Sequence, residues 1–167
     1  MDFNVNLPYP PIKVEKQSIT NANLILLNYA GAVSEFSAIN QYTFHELSFC
    51  DSNKEVSSTI KGIAKVEMIH MQMLGELIVK LGSDPGYWIN TKKKRSLWNA
   101  NFINYSTDLQ IALETDMKSE KEAIVQYKRT INSVDDQNIK KILNRIILDE
   151  EYHIQLLTNL YTEYILR

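Results

Sequence analysis

The feature that most restricts what this chain can fold into is where its prolines stand. Only four of the 167 residues are proline, and three of them crowd together as Pro8, Pro10 and Pro11, the fourth being Pro85. Proline removes an amide donor and clashes with the preceding turn inside a helix. Its scarcity elsewhere, with only five glycines, leaves the long middle and end segments open to helix. Residues 1–18 read instead as an extended arm, lying on the outside of a domain or on a neighbouring subunit.

Apolar spacing fills in the helices. Leu24, Leu27, Gly31, Ser34 with Glu35, Ala38 and Tyr42 recur at helical intervals, which predicts a first helix from about Asn21 to Phe49. Asp51-Ser52-Asn53 interrupts it. Ser52 and Glu55 fit a capping box, opening a second helix from Asn53 to Leu81, with Gly82 as its stop and Pro85 just beyond. A third helix is expected from Thr107 to Asn132, with Thr107 and Gln110 as its capping box, and Asp135 or Asp136 caps a fourth that runs to Leu166. Helices of roughly 26–30 residues are about 40 Å long, which suits a bundle. Residues 83–106 are less regular and hold Tyr87, Trp88, Trp98 and the run Lys92-Lys93-Lys94-Arg95. A connection this long between the second and third helices is a crossover. The expected fold is a single all-α domain over residues 1–167, a four-helix bundle with a long crossover between helices 2 and 3.

Bulk chemistry narrows the partners. A net charge of -2 and a pI near 5.9 point to neither nucleic acid nor an anionic membrane. The run at 92–95 is read as a solvated loop face. No apolar run approaches the roughly 20 residues that span a bilayer. The opening MDFNVNLPYPPIKVEKQ has no apolar core behind a basic stretch and so is no secretory signal; a cytoplasmic location is the default. Cys50 stands alone, which excludes an intrachain disulfide and a four-cysteine metal site. It is read as a helix-end packing residue.

Two of the three histidines sit in the same motif, Glu67-Met68-Ile69-His70 and Glu150-Glu151-Tyr152-His153. Side chains three apart on a helix are neighbours one turn along, so both can reach one ion or a pair of ions. Taken alone, Glu-x-x-His also occurs as a hydrogen-bonded pair on exposed helices. Here Met68, Ile69, Met71, Met73 and Leu74 surround the first motif, and Ile146, Ile147, Leu148, Leu156 and Leu157 the second. Such groups are costly to bury unless paired or bound to metal. An internal repeat adds to this. Glu35-x-x-Ala38-x-x-x-Tyr42 matches Glu120-x-x-Ala123-x-x-x-Tyr127, and each Glu precedes a Glu-x-x-His by 67 - 35 = 32 or 150 - 120 = 30 residues. Antiparallel neighbours then bring Glu35, Glu67, His70, Glu120, Glu150 and His153 to one level. One Glu from each of two helices and Glu-x-x-His from the other two is the ligand set of a carboxylate-bridged dimetal site. Two divalent ions neutralise the four carboxylates, as a low-dielectric interior requires. Oxygen ligands with two imidazoles suit iron or manganese.

Tyr42 and Tyr127 lie two turns along from Glu35 and Glu120 and are the candidate catalytic residues, their hydroxyls orienting a ligand carboxylate or a bound oxygen species; a core-filling role stands equally open. Glu122 and Glu151 are expected to be solvated, Asp116 to stand behind the ligands, and Glu46 to lie on the face of Glu35 nearer the bundle end. His45, without a Glu three residues before it, is read as a hydrogen-bonded surface or boundary histidine.

With these residues the chain resembles the ferritin-like superfamily over roughly residues 20–165, and within it the rubrerythrin and manganese-catalase branch. Tyr9-Pro10-Pro11-Ile12-Lys13-Val14 is similar to the start of manganese-catalase-like spore-coat proteins. The resemblance implies a ferritin-like bundle holding two metal ions, manganese or iron, that act on hydrogen peroxide or dioxygen. Rubrerythrins carry a further glutamate one turn before the one matching Glu120, where this chain has Met117, and they usually carry an iron domain rich in cysteine. Both departures favour catalase-like chemistry. The other expectations are a peroxidase using an external electron donor, ferritin-like iron oxidation, or a coat protein with a structural metal. A homodimer or higher homo-oligomer is expected, and the spore coat is a possible location.

Overall fold

A computed structural model describes residues 2–91 and 94–167. The described residues form α1 (Ile19–Ala30), α2 (Glu35–Phe49), α3 (Lys54–Lys80), β1 (Trp88–Asn90), β2 (Arg95–Leu97), a 3-10 turn (Ala100–Phe102), α4 (Leu109–Ser133) and α5 (Gln137–Tyr164). The fold is a ferritin-like four-helix bundle in which α1 and α2 together take the first position. No helix among the described residues is long and apolar enough to cross a membrane.

The first helix is not continuous as its periodicity predicts. It breaks at Gly31–Ser34, just before Glu35. Gly31 leaves the helix in an extended conformation, and a Cβ there would collide with the Leu27 carbonyl oxygen. Ser34 then caps α2, accepting from the Ser37 amide at 3.2 Å and donating to the Gly31 carbonyl at 2.8 Å. Two serines and a glycine thus satisfy the chain ends that a break exposes.

Two other helices are capped one residue later than expected. Asn53, not Ser52, caps α3, and Asp108, not Thr107, caps α4. Asp136 caps α5 and also accepts from the Glu15 amide at 2.6 Å. Gly82, at φ +89°, closes α3 in the left-handed conformation that glycine adopts without strain. The crossover is more ordered than its sequence suggests. β1 and β2 pair antiparallel, Trp88 opposite Leu97, and Arg95 lies 4.0 Å over the Trp88 ring. Lys92 and Lys93 of the basic run lie outside the described residues.

Two apolar layers fill the bundle. One is built on Leu26, Leu74, Leu77, Ile78, Ile142 and Ile146, the other on Val56, Ile60, Ile63, Leu113, Leu157 and Leu160. Full burial of each such side chain contributes roughly 1.5–3 kcal/mol. Tyr127 belongs to the first layer and Tyr42 to the second. The polar cluster lies between the layers.

Candidate metal centre

Six of the residues singled out from sequence meet at mid-bundle. Glu35, Glu67, His70, Glu120, Glu150 and His153 are each at most 3% exposed. α2 and α4 supply one glutamate each, and α3 and α5 one Glu-x-x-His each. Their donor atoms form two groups, Glu35–Glu67–His70–Glu150 and Glu67–Glu120–Glu150–His153, with the atoms of each group within 4.8 Å of one another. Glu67 and Glu150 belong to both.

The imidazoles face this centre through Nδ1. His70 Nδ1 lies 2.9 Å from Glu67 and 3.4 Å from Glu150. His153 Nδ1 lies 2.9 Å from Glu67, 3.1 Å from Glu150 and 3.4 Å from Glu120. The Tyr42 hydroxyl donates to Glu120 and the Tyr127 hydroxyl to Glu35, so each tyrosine reaches across to the glutamate of the other half. Burial pushes both phenols well up, helped by the Glu120 charge at Tyr42 and the Glu35 charge at Tyr127. They therefore stay protonated donors.

The electrostatics ask for cations. Burial drives Glu35 and Glu120 well above the usual carboxyl range, and the Glu67 and Glu150 charges push further. Burial acts the same way on Glu67, but the charges and hydrogen bonds of His153 and His70 outweigh it and hold this carboxyl well low. Burial disfavours the charged imidazoles too, yet Glu150 and Asp149 raise His70, and Glu67 leads in raising His153. Glu67 Oε1 and Glu150 Oε1 are buried and make no hydrogen bond of good geometry, although His153 Nδ1 stands 2.9 Å from the first and His70 Nδ1 3.4 Å from the second. Buried polar atoms are almost always paired. Two under-satisfied oxygens on the shared carboxylates, each beside an imidazole nitrogen, fit a dimetal site.

A cavity of about 270 Å³ leads to the centre. Ala32, Val33 and Ser34 of the break form one side, Ser37, Ala38, Gln41, Ser119 and Ala123 line it, and Phe102 of the crossover covers it. Trp98 ties the crossover down by donating to Ser37 at 2.9 Å, and the Asn104 amide donates to Gln41 at 2.9 Å.

Other expectations need correction. His45 is fully buried, not a surface or boundary residue, and its Nδ1 sits 2.9 Å from Asp116. Asp116 serves His45 and Gln41 rather than any of the six. Cys50 is exposed at the C-cap of α2, not packed. Met68 and Ile69, read as apolar surroundings of the first motif, are 49% and 44% exposed, so only the inward face of α3 buries that motif. Glu122 and Glu151 are exposed as expected, and Glu46 pairs with Lys61 at 3.2 Å.

The residues behind the histidines were not foreseen. Asp149 Oδ2 lies 3.0 Å from His70 Nε2 and accepts from the Tyr9 hydroxyl at 2.7 Å. Its Oδ1 accepts from the Val5 amide at 2.8 Å and pairs with Arg145 at 2.7 Å. His153 Nε2 lies 3.0 Å from the Phe3 carbonyl oxygen. The arm thus lines the site from below. A signal existed, since the second motif reads Asp149-Glu150-x-x-His153 with Arg145 one turn earlier on the same helix.

Comparison with known proteins agrees with this fold. Residues 26–161 match the family model described as Rubrerythrin. A probable manganese catalase of Clostridium acetobutylicum is 22% identical over 160 residues, covering 85% of this chain and 70% of its own length. The crystal structure of KatB, a manganese catalase from Anabaena, superposes with a TM-score of 0.84 at 23% identity, covering 98% of this chain and 80% of that one. A dodecameric thioferritin, the bacterioferritin-related protein of Bacteroides fragilis, gives a TM-score of 0.68 at 22% identity over 89% of this chain and 88% of that one.

Proposed function

The chain belongs to the rubrerythrin family, and from that premise and its buried cluster we propose that it is a dimetal oxidoreductase that disproportionates hydrogen peroxide. The observation that carries this reading is the sharing of Glu67 and Glu150 between the two four-residue groups. Two carboxylates common to both groups would hold two ions side by side. A bound pair of manganese or iron ions supplies the two-electron exchange with peroxide. Similarity to the two manganese catalases favours manganese.

The chain's own residues do the rest. His70 with Glu35 completes one position, and His153 with Glu120 the other. Tyr127 and Tyr42 hold those two glutamates by one oxygen each and so fix where the second oxygen points. Small side chains at Ala32, Ser34, Ser37, Ala38 and Ala123 leave a passage that a molecule of peroxide's size can enter. Gln41 and Ser119 add polar atoms along its wall for a peroxide to bond. Overall one peroxide is reduced to two waters and a second is oxidised to dioxygen, so no outside reductant is consumed. Met117, in the place of the further glutamate of rubrerythrins, supports this over a donor-dependent peroxidase. Assembly with copies of itself belongs to the same reading, in keeping with the dodecameric neighbour.

The test is oxygen release from hydrogen peroxide, with no reductant, by protein loaded separately with Mn(II) and Fe(II). Sustained release by one form that is lost in Glu35→Gln and Glu120→Gln is expected. No oxygen from either form sinks the reading. Peroxide loss only when a reductant is added would make the protein a peroxidase, and oxidative uptake of Fe(II) without peroxide turnover an iron oxidase.

A further inference from the structure

The internal repeat is two-fold in its glutamates, histidines and tyrosines, but not in what stands behind the histidines. On α5 the residue before Glu150 is Asp149, which holds His70 by Nε2 at 3.0 Å. On α3 the residue before Glu67 is Val66, which has no polar atom to offer His153. We propose that the N-terminal arm supplies the missing half: the main-chain carbonyl of Phe3 is the positioning group for His153. This rests on the dimetal reading above.

The chemistry of the contact is one-directional. A carbonyl only accepts, so at 3.0 Å the Nε2 of His153 must carry the proton. With the proton on Nε2 so held, it is Nδ1 that would give its lone pair to an ion among Glu67, Glu120 and Glu150. The arm is also built to hold its carbonyl in place. The Phe3 ring rests on Gly62 so closely that a Cβ there would stand inside it. Glycine within a helix costs about 1 kcal/mol relative to alanine, and a seat for this ring accounts for it. Further along, the Val5 and Leu7 carbonyls accept from the Arg145 guanidinium at 2.7 and 2.8 Å, while the Val5 amide donates to Asp149. Asp149 therefore grips His70 directly and, through the arm, steadies His153.

The two positions are unequal as a result. His70 is backed by a carboxylate, which raises ligand basicity, and His153 by a neutral carbonyl. Loosening the arm should weaken one ion and spare the other.

Gly62→Leu tests this, because the leucine side chain takes the space of the Phe3 ring and evicts it. Mn(II) is titrated into the metal-free full chain and followed by calorimetry and electron paramagnetic resonance. Wild type is expected to take two ions per chain and to show a spin-coupled pair. Gly62→Leu should keep one ion near wild-type affinity and bind the other about 10- to 100-fold more weakly, giving the six-line spectrum of isolated Mn(II). Removing residues 2–4, which takes away Phe3 but spares the Val5 and Leu7 bonds to Asp149 and Arg145, should give the same selective loss. Adding Val66→Asp to either variant should restore the second ion, since it recreates on α3 the carboxylate that α5 has. Retention of both ions at wild-type affinity by the truncated chain overturns the inference. So does an equal loss of both ions that Val66→Asp does not repair, which would mean that the arm only supports the fold. If wild type itself binds no pair of ions, it is the dimetal reading that fails.

Discussion

Asp149→Asn removes one charge and almost no volume, which makes it the sharpest probe of how the site is held. Burial alone would raise this carboxyl, but His70, Arg145, Tyr9 and the Val5 amide outweigh it and bring it from 3.8 to about 2. That lowering corresponds to about 2 kcal/mol. Breaking a buried pair outright costs about 3–5 kcal/mol. Arg145 keeps its bonds to Val5 and Leu7, so a loss towards the lower figure is expected. For 167 residues, an unfolding entropy of about 2.1 cal/mol/K per residue turns about 2 kcal/mol into a fall of about 6 °C in Tm. The sign with pH follows from the depressed value. The contribution is fully present above the unfolded pKa near 3.8 and is lost as pH falls through about 2. Thermal unfolding of the metal-free protein by circular dichroism should show the full gap at pH 7 and pH 5, and a narrowing gap below pH 4. A variant melting within about 1 °C of wild type at pH 7, or a gap that widens in acid, would refute the reasoning.

Metal loading is expected to release protons, because burial and neighbouring charges raise Glu35 and Glu120, and the surrounding carboxylates raise His70 and His153 against burial. Raised groups keep their protons to higher pH than free ones and must give them up to bind an ion, so affinity should climb with pH, by up to about a hundredfold per ion per unit where each ion displaces two protons. Calorimetry in buffers of different ionisation heat reads this directly, and pH-independent binding contradicts it. Gly82→Ala, at φ +89°, should lower the urea midpoint by an amount equivalent to about 1 kcal/mol; an unchanged midpoint would mean that the end of α3 adapts freely.

The helices and the six converging side chains were legible because both obey the helical period. Breaker-free stretches fix the elements, and Glu-x-x-His with a matching Glu fixes the inward face of each. The break before Glu35 was not legible in the same way. Gly31 sits at a core position of a continuous period, and only the serines that bond back to its carbonyl reveal that the chain leaves the helix there. The setting of His45 was missed because its partner, Asp116, lies 71 residues away on another helix. The part played by the arm was hidden more deeply. It works through a main-chain carbonyl, and every residue type carries one.

The interruption between α1 and α2 also sets the two halves of the repeat apart in a way their sequences do not announce. Glu120 lies in the middle of α4, where peptide dipoles cancel along the helix, whereas Glu35 is the first residue of α2, directly after its cap. The start of a helix carries about half a positive charge from its unpaired amides. Glu35 therefore feels a local attraction for its ionised form that Glu120 lacks, and it rides on a segment that begins at a joint instead of being clamped by turns on both sides. Both non-shared carboxylates line the passage, but only Glu35 stands at a helix start, so the two are not equivalent anions.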